Sequence, residues 1–286
     1  MSAAPDIEAF FDEATNSVSY LVADPEAAVA AIIDPVLDFD LASGTVGTAS
    51  AERILAAADE RGWRVEWVLE THVHADHLSA AAAIKERTGA RVAIGAGVAE
   101  IRRVFGPRFG VSDFDERDFD RLLEDGDTIA LGGLNVDVMA TPGHTPACVS
   151  YRIGDAVFVG DTLFMPDYGT ARADFPGGDA AQLYRSIQRI LALPRATRIF
   201  LCHDYKAPGR DDYAWETTVG EEADRNVHVG GAVSEEAYVT MRRARDATLC
   251  APRLLYPALQ VNIRGGRLPP PEPDGSRYLR IPLTVD

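Results

Sequence analysis

The sequence predicts an α/β fold in which two β-sheets pack together with helices outside them. Three observations carry that prediction. β-rich runs joined by turn residues occur in both halves of the chain. Helical stretches with an apolar stripe alternate with them. His72, His144, Asp161 and His203 each stand just after an apolar β-like run. Loops at such strand ends gather along one edge of a two-sheet sandwich, so the pattern that predicts the layers also predicts a site.

Residues 17–22 and 28–33 are β-rich and are separated by Asp24-Pro25-Glu26, which reads as a hairpin. Residues 50–61 have helical composition and spacing, and 65–69 form a short apolar strand leading into Thr71. Residues 78–87 read as helix, 91–94 as strand and 98–105 as a further short helix, a βαβα alternation. From 109 to 127 the chain becomes acidic and reads as loop. Residues 128–131 and 136–139 flank Gly132-Gly133 in a second hairpin, and the strands 148–153 and 156–159 meet at Gly154-Asp155. Residues 180–193 form an amphipathic helix with Leu183, Ile187, Ile190 and Leu191 on one face, followed by a strand at 198–202.

With 286 residues, 47% of them hydrophobic and 25% charged, the chain can bury one large core. Its formal charge of −16 would repel phosphate backbones and anionic lipid, which argues against nucleic acid or a membrane as partner. No apolar run approaches the roughly 18 residues of a membrane span. The opening MSAAPDIEAFFDEATN lacks a basic n-region and an apolar h-region, so a cytoplasmic protein is expected. Cys148, Cys202 and Cys250 are too scattered for a disulfide framework or a CxxC metal site, and each is expected to be a reduced thiol behaving as a small buried hydrophobe.

The strongest chemical signal is THVHADH at 71–77, three imidazoles and one carboxylate within six residues. Packing has little use for such a run, whereas imidazole and carboxylate are ligands for zinc, iron and manganese. Three weaker elements follow. In Thr141-Pro142-Gly143-His144-Thr145 a sharp turn presents one histidine; in Gly160-Asp161-Thr162 an acid follows an apolar run; and Leu201-Cys202-His203-Asp204-Tyr205 supplies the last histidine. Taken singly, each of the three is more often a turn or capping feature. A metal would compensate a carboxylate buried at Asp161.

In order, THxHxDH, PGHT, GD and HDY resemble the metallo-β-lactamase superfamily over most of the chain. That resemblance implies an αββα four-layer sandwich with the metal site at one edge of the two sheets. In its dinuclear hydrolases, residues matching His72, His74 and His144 hold one ion, those matching Asp76, His77 and His203 hold the other, and the match of Asp161 bridges. The stretches HTPACVSY, GDTLFMPDYGTARADFPGG, LYRSI, HDYKAPGR and TTVGEEADRN are most similar to persulfide dioxygenases, in particular a bacterial branch labelled β-lactamase-like hydrolase. Residues 261–264 and 278–282 resemble that branch as well. The expected division is a catalytic domain at 1–250 and an extension at 251–286, packed on the same domain or on a dimer partner.

What the branch implies is one iron(II) per chain on His72, His144 and Asp161, with His74, Asp76, His77 and His203 as an additional site left free of metal. Two histidines and one carboxylate leave open positions for a persulfide sulfur and O2. The expected reaction oxidises glutathione persulfide to sulfite and glutathione. Arg172 and Tyr205 are the first choices for binding the anionic substrate, Lys206 and Arg210 the alternates, and Asp174 a partner that orients Arg172 or Tyr205. The competing reading is a glyoxalase-II-like thioester hydrolase with one or two zinc ions, whose bridging hydroxide attacks a glutathione thioester. The region after His203 lacks an obvious long helical domain of the kind those thioesterases use. A β-lactamase is disfavoured by the expected compartment, and a non-catalytic sensor by the intact ligand set. A homodimer is left open.

Overall fold

A computed structural model describes residues 4–112, 114, 115 and 117–284. The first sheet opens with an antiparallel meander of β1 (Asp6–Asp12), β2 (Ser17–Asp24) and β3 (Val29–Ile33). Asp24 shapes the β2–β3 turn by accepting hydrogen bonds from the amides of Glu26 at 3.0 Å and Ala27 at 3.3 Å. The hairpin β4 (Val36–Asp40) and β5 (Thr45–Gly47) leads into α1 (Ala49–Glu60). β6 (Arg64–Glu70) then runs parallel to β3, and the short β7 (Leu78–Ser79) pairs with β4. With α2 (Ala81–Thr88), β8 (Arg91–Gly95), α3 (Val98–Phe109) and β9 (Arg121–Leu123), the sheet reaches the order β1-β2-β3-β6-β8-β9.

The second sheet begins with β10 (Thr128–Leu131), β11 (Leu134–Ala140), β12 (Val149–Ile153) and β13 (Ala156–Phe158), all antiparallel. The helix α4 (Ala180–Leu191) is capped at its start by Asp179, whose carboxylate accepts from the amide of Gln182 at 2.7 Å. It carries the chain over so that β14 (Arg198–Phe200) runs parallel to β13, and β15 (Glu216–Thr218) closes the order β10-β11-β12-β13-β14-β15. Three helices follow: α5 (Val219–Arg225), α6 (Glu235–Asp246) and α7 (Leu255–Asn262).

Strand alternation explains the layers. On β2 and β3, Val18, Tyr20, Val22, Ala31 and Ile33 face the second sheet, while Leu21, Ala23, Ala30 and Ile32 face the outer helices. Both faces of these strands are therefore buried, and β2 is buried along its whole length. On the far side, Val157 and Ile199 meet Leu183, Ile187 and Ile190 of α4, the face expected from the sequence. The result is the αββα sandwich. Leu254, Ala258, Leu259, Val261 and Ile263 lie in the same buried cluster as residues of α1, α2 and α3.

Several expectations need correction. The stretch 109–127 is not all loop, because β9 adds a parallel edge to the first sheet; Asp113 and Glu116 within it lie outside the described residues. Residues 78 and 79 are strand, and the helix starts only at Ala81. The helix expected at 98–105 continues to Phe109. Cys250 is exposed, unlike the buried Cys148 and Cys202. No helix among the described residues is long and apolar enough to cross a membrane.

One buried acid makes stability depend on pH. Glu222 on α5 accepts a hydrogen bond from Asn226 at 2.6 Å through one oxygen, while the other is buried without a partner. Burial, assisted by Glu221 and Asp167, pushes its pKa up to about 8 against the opposing Asn226 contact. Between the ordinary glutamate range and about 8, the unfolded chain has lost this proton and the folded chain has kept it. Stability therefore falls as pH rises through that window. Glu222→Gln is expected to raise Tm relative to the parent at about pH 8 to 9, with the gap closing towards about pH 5. Parallel Tm profiles across that range would exclude the effect.

Candidate metal centre

The edge where β6, β11, β13 and β14 end brings the ligand-type residues together. β6 delivers Thr71, whose amide and hydroxyl both donate to Asp34 at 2.7 Å, and whose carbonyl accepts from Val149 at 2.9 Å. The run 72–77 is fixed from below by α7. The Asn262 amide donates to the carbonyls of His74 at 2.9 Å and His77 at 2.8 Å, and its oxygen accepts from the Ser79 amide at 2.8 Å. Two buried tyrosines tie the strand ends across the sandwich: Tyr151 donates to the Glu70 carbonyl at 2.7 Å, and Tyr20 to that of Leu201.

Two glycines permit the close approaches. Gly143 has φ +140°, and a Cβ there would fall 2.3 Å from the backbone of Leu183, so the turn before His144 can lie flat on α4. Gly160 has φ +50°, and a Cβ there would fall 2.5 Å from Thr71 Oγ1. The strand carrying Asp161 can thus touch the loop carrying His72.

His72, His144 and Asp161 place one ligand atom each within 4.8 Å of the others. Asp161 Oδ2 lies 3.6 Å from His144 Nε2 and 3.9 Å from His72 Nε2, while Oδ1 lies 3.4 Å from His203 Nε2. His74, Asp76 and His77 form an adjoining group within the same limit, and His203 Nε2 lies 3.2 Å from Asp76 Oδ2. The chain sets the imidazole orientations. His144 Nδ1 donates to the Arg172 carbonyl at 2.8 Å, and His203 Nδ1 to that of Asn16 at 3.0 Å. Each ring then has Nε2 free as a lone-pair donor.

The donor set fits a cation. His74 Nδ1, His77 Nε2, His203 Nε2 and Asp161 Oδ1 are all buried without an aligned hydrogen bond. An unsatisfied buried polar atom costs about 1–3 kcal/mol, and a cation held by the adjoining groups would satisfy such atoms. Burial, then His74, lowers the pKa of His77 to about 4, and burial with the neighbouring imidazoles holds His72 well below the usual histidine range. Both are neutral at neutral pH, the form that binds metal. Burial pushes the Asp76 carboxyl up, but His203, His77 and His74 outweigh it and bring it down to about 2.

Two acids not singled out from the sequence lie under the cluster. Asp34 Oδ1 is 3.0 Å and Glu70 Oε2 is 3.4 Å from His74 Nε2, which holds that imidazole well above its usual pKa despite its burial. Asp34 follows the apolar run of β3 just as Asp161 follows that of β13, so the signal that picked out Asp161 was present there too.

The cluster opens into a cleft of about 340 Å³ lined by Asp76, His144, Asp161, Phe164, Tyr168 and Tyr205, among others. Tyr205 stacks on His203 at a centroid distance of 5.5 Å and is 40% exposed. Arg172 reaches the cleft wall, but its guanidinium is tied to Asp174 at 2.6 and 2.7 Å and to the Cys250 carbonyl at 2.7 Å. Of the alternates, Arg210 pairs with Asp204 and Asp167, and Lys206 lies 4.1 Å over the ring of Tyr213.

Residues 13–203 match the family model described as metallo-beta-lactamase superfamily. A protein of Burkholderia pseudomallei (strain 1710b) named as a probable metallo-hydrolase is 53% identical, over 97% of this chain and 98% of its own length. A beta-lactamase hydrolase-like protein of Agrobacterium fabrum is also 53% identical, over 99% of this chain and 66% of that longer protein. Among solved structures, ETHE1 from Myxococcus xanthus is similar with a TM-score of 0.74 at 32% identity, covering 92% of this chain and all of that one. The chain belongs to the metallo-β-lactamase superfamily, a family of metal-dependent enzymes.

Proposed function

We propose that this chain is a cytoplasmic persulfide dioxygenase that uses one iron(II), held by His72, His144 and Asp161, to oxidise glutathione persulfide. The carrying observation is that these two imidazoles and one carboxylate converge where the cleft meets the ligand cluster. The local likeness of GDTLFMPDYGTARADFPGG and HDYKAPGR to persulfide dioxygenases supports the same reading. Iron(II) bound there would supply open coordination positions for a sulfur and for O2, together with the redox chemistry. Overall, one persulfide, one O2 and one water give one thiol, one sulfite and two protons. The two persulfide sulfurs together lose four electrons and dioxygen gains four.

The chain's own residues prepare that step. The Arg172 carbonyl fixes the His144 tautomer, and Thr71 Oγ1, 3.0 Å from His72 Nδ1, orients the other imidazole. Partial burial of its ring, reinforced by Asp76 and Asp161, holds the Tyr205 hydroxyl above its usual pKa. It stays protonated and donates to an anionic ligand in the cleft. Phe164 and Tyr168 pack beside it in the cleft.

The second reading is a dinuclear thioester hydrolase. It is favoured by His74, Asp76, His77 and His203, which also converge and carry buried atoms without hydrogen-bond partners. Oxygen uptake by the anaerobically iron(II)-reconstituted chain on adding glutathione persulfide separates the two. Uptake with sulfite release at about one iron per chain is the expected result. Two metals, thioester cleavage and no uptake would overturn it.

A further inference from the structure

We infer that His228 is a positioning residue for the metal centre: its imidazole anchors the backbone at Thr170, and through the Arg172 carbonyl it sets the orientation of His144. The chain has six histidines, and the other five all belong to the ligand cluster. His228 stands apart from them, half-buried in the turn between α5 and α6.

That turn clips the segment that runs from Asp161 to Arg172, a segment joining a residue of the cluster to the carbonyl that binds His144 Nδ1 at 2.8 Å. The Val227 amide donates to the Pro166 carbonyl at 2.9 Å, and the Asn226 side-chain amide donates to the Gly169 carbonyl at 3.0 Å. The Thr170 amide in turn donates to His228 Nδ1 at 3.0 Å. Thr170 Oγ1 lies 3.2 Å from the same nitrogen and 3.0 Å from the Tyr238 hydroxyl. Gly169, with φ +105°, lets the ring lie against the backbone, since a Cβ there would fall 2.2 Å from His228 Nδ1.

An imidazole suits this place better than a carboxylate. Burial, then Arg242 and Arg245, lowers the pKa of His228 to about 4. At neutral pH the ring is uncharged, and Nδ1 keeps the lone pair that accepts from Thr170. A carboxylate beside the same two arginines would be drawn to them instead. Arg242 donates to the Thr170 carbonyl at 3.0 Å, so His228 and Arg242 hold the amide and the carbonyl of one residue, two positions before Arg172. A plain turn role would need only the backbone of His228, whose amide donates to Asn226 Oδ1 at 2.9 Å. It would leave the bond from the Thr170 amide to the ring, and the glycine under the ring, without a purpose.

The test is iron(II) affinity, measured anaerobically by competition with a chromogenic chelator, in the parent, His228→Phe and His228→Asn. Phenylalanine keeps a ring over Gly169 and removes the acceptor, whereas asparagine offers an oxygen close to where Nδ1 stood. His228→Phe is expected to weaken iron about tenfold, the lower end for loss of a group that orients a metal ligand, and His228→Asn to stay within about twofold of the parent. The electron paramagnetic resonance spectrum of the iron-loaded chain with nitric oxide reads geometry apart from the amount bound. It should shift in His228→Phe and match the parent in His228→Asn. Should His228→Phe not fold, His228→Leu carries the same expectation. Parental affinity and spectrum without the acceptor would overturn the role, and so would asparagine as weak as phenylalanine, which would make the ring a packing element only. No persulfide is present, so the role does not rest on the proposed reaction. Weakened iron restored by asparagine, in a chain that takes up no oxygen on persulfide, would sink the dioxygenase and leave the role standing; uptake with parental affinity in His228→Phe would do the reverse.

Discussion

Asp161→Ala is expected to reduce bound iron from about one per chain to background and to lower persulfide-dependent oxygen uptake at least about a thousandfold. Among the described residues, Asp161 is the one carboxylate facing both clusters, with Oδ2 towards His72 and His144 and Oδ1 towards His203. Removing it leaves imidazoles gathered with less negative charge between them, which weakens any divalent ion on either side. His77→Ala is the informative contrast, because His77 belongs only to the adjoining group. In a one-iron enzyme it should retain iron and most of its uptake, whereas a dinuclear centre would lose a metal and turnover together. Metal analysis and oxygen-electrode traces on the same preparations read both quantities. Retained iron and turnover in Asp161→Ala would remove this cluster from the chemistry.

The clustering of these side chains was legible in the sequence because imidazoles and carboxylates at strand ends have few packing uses. THVHADH, His144, Asp161 and His203 do meet at one edge. Two kinds of information were not legible. Supports far along the chain give no local signal. Asn262, 188 positions from His74, looks like any helix-end asparagine until its amide is seen holding the carbonyls of His74 and His77. Long-range competition for charged groups is equally invisible. Asp174 was read as a partner that orients Arg172 and does bind its guanidinium, but the Cys250 carbonyl, 78 positions away, takes it as well. Arg245 and Arg253, which line the cleft and for which no ion pair is found among the described residues, come from α6 and the segment after it. Short strands were lost for a related reason: β7 and β9 have two and three residues, too few to show a period, and only their partners define them.

Arg242→Met is expected to destabilise the fold by about 3–5 kcal/mol, the range for stranding one partner of a buried ion pair. The Arg242 side chain is almost wholly buried, with Nη2 at 2.7 Å and Nε at 2.9 Å from Asp246 Oδ1, and Nη1 at 3.0 Å from the Thr170 carbonyl. Asp246 Oδ2 also accepts from the Ala173 amide at 2.9 Å, so the pair clamps both ends of residues 170–173. That segment carries the Arg172 carbonyl that orients His144. The loss should therefore reach the metal site as well as the urea midpoint. The double variant Arg242→Met/Asp246→Leu separates the two effects. With no charge left stranded, it should recover much of the stability, since apolar replacement of a buried pair is often neutral or better. It should not recover iron affinity, because the Ala173 amide has lost its acceptor and the segment is no longer clamped. Recovery of both would mean that the pair matters only as buried charge, and that the orientation of His144 is secured elsewhere.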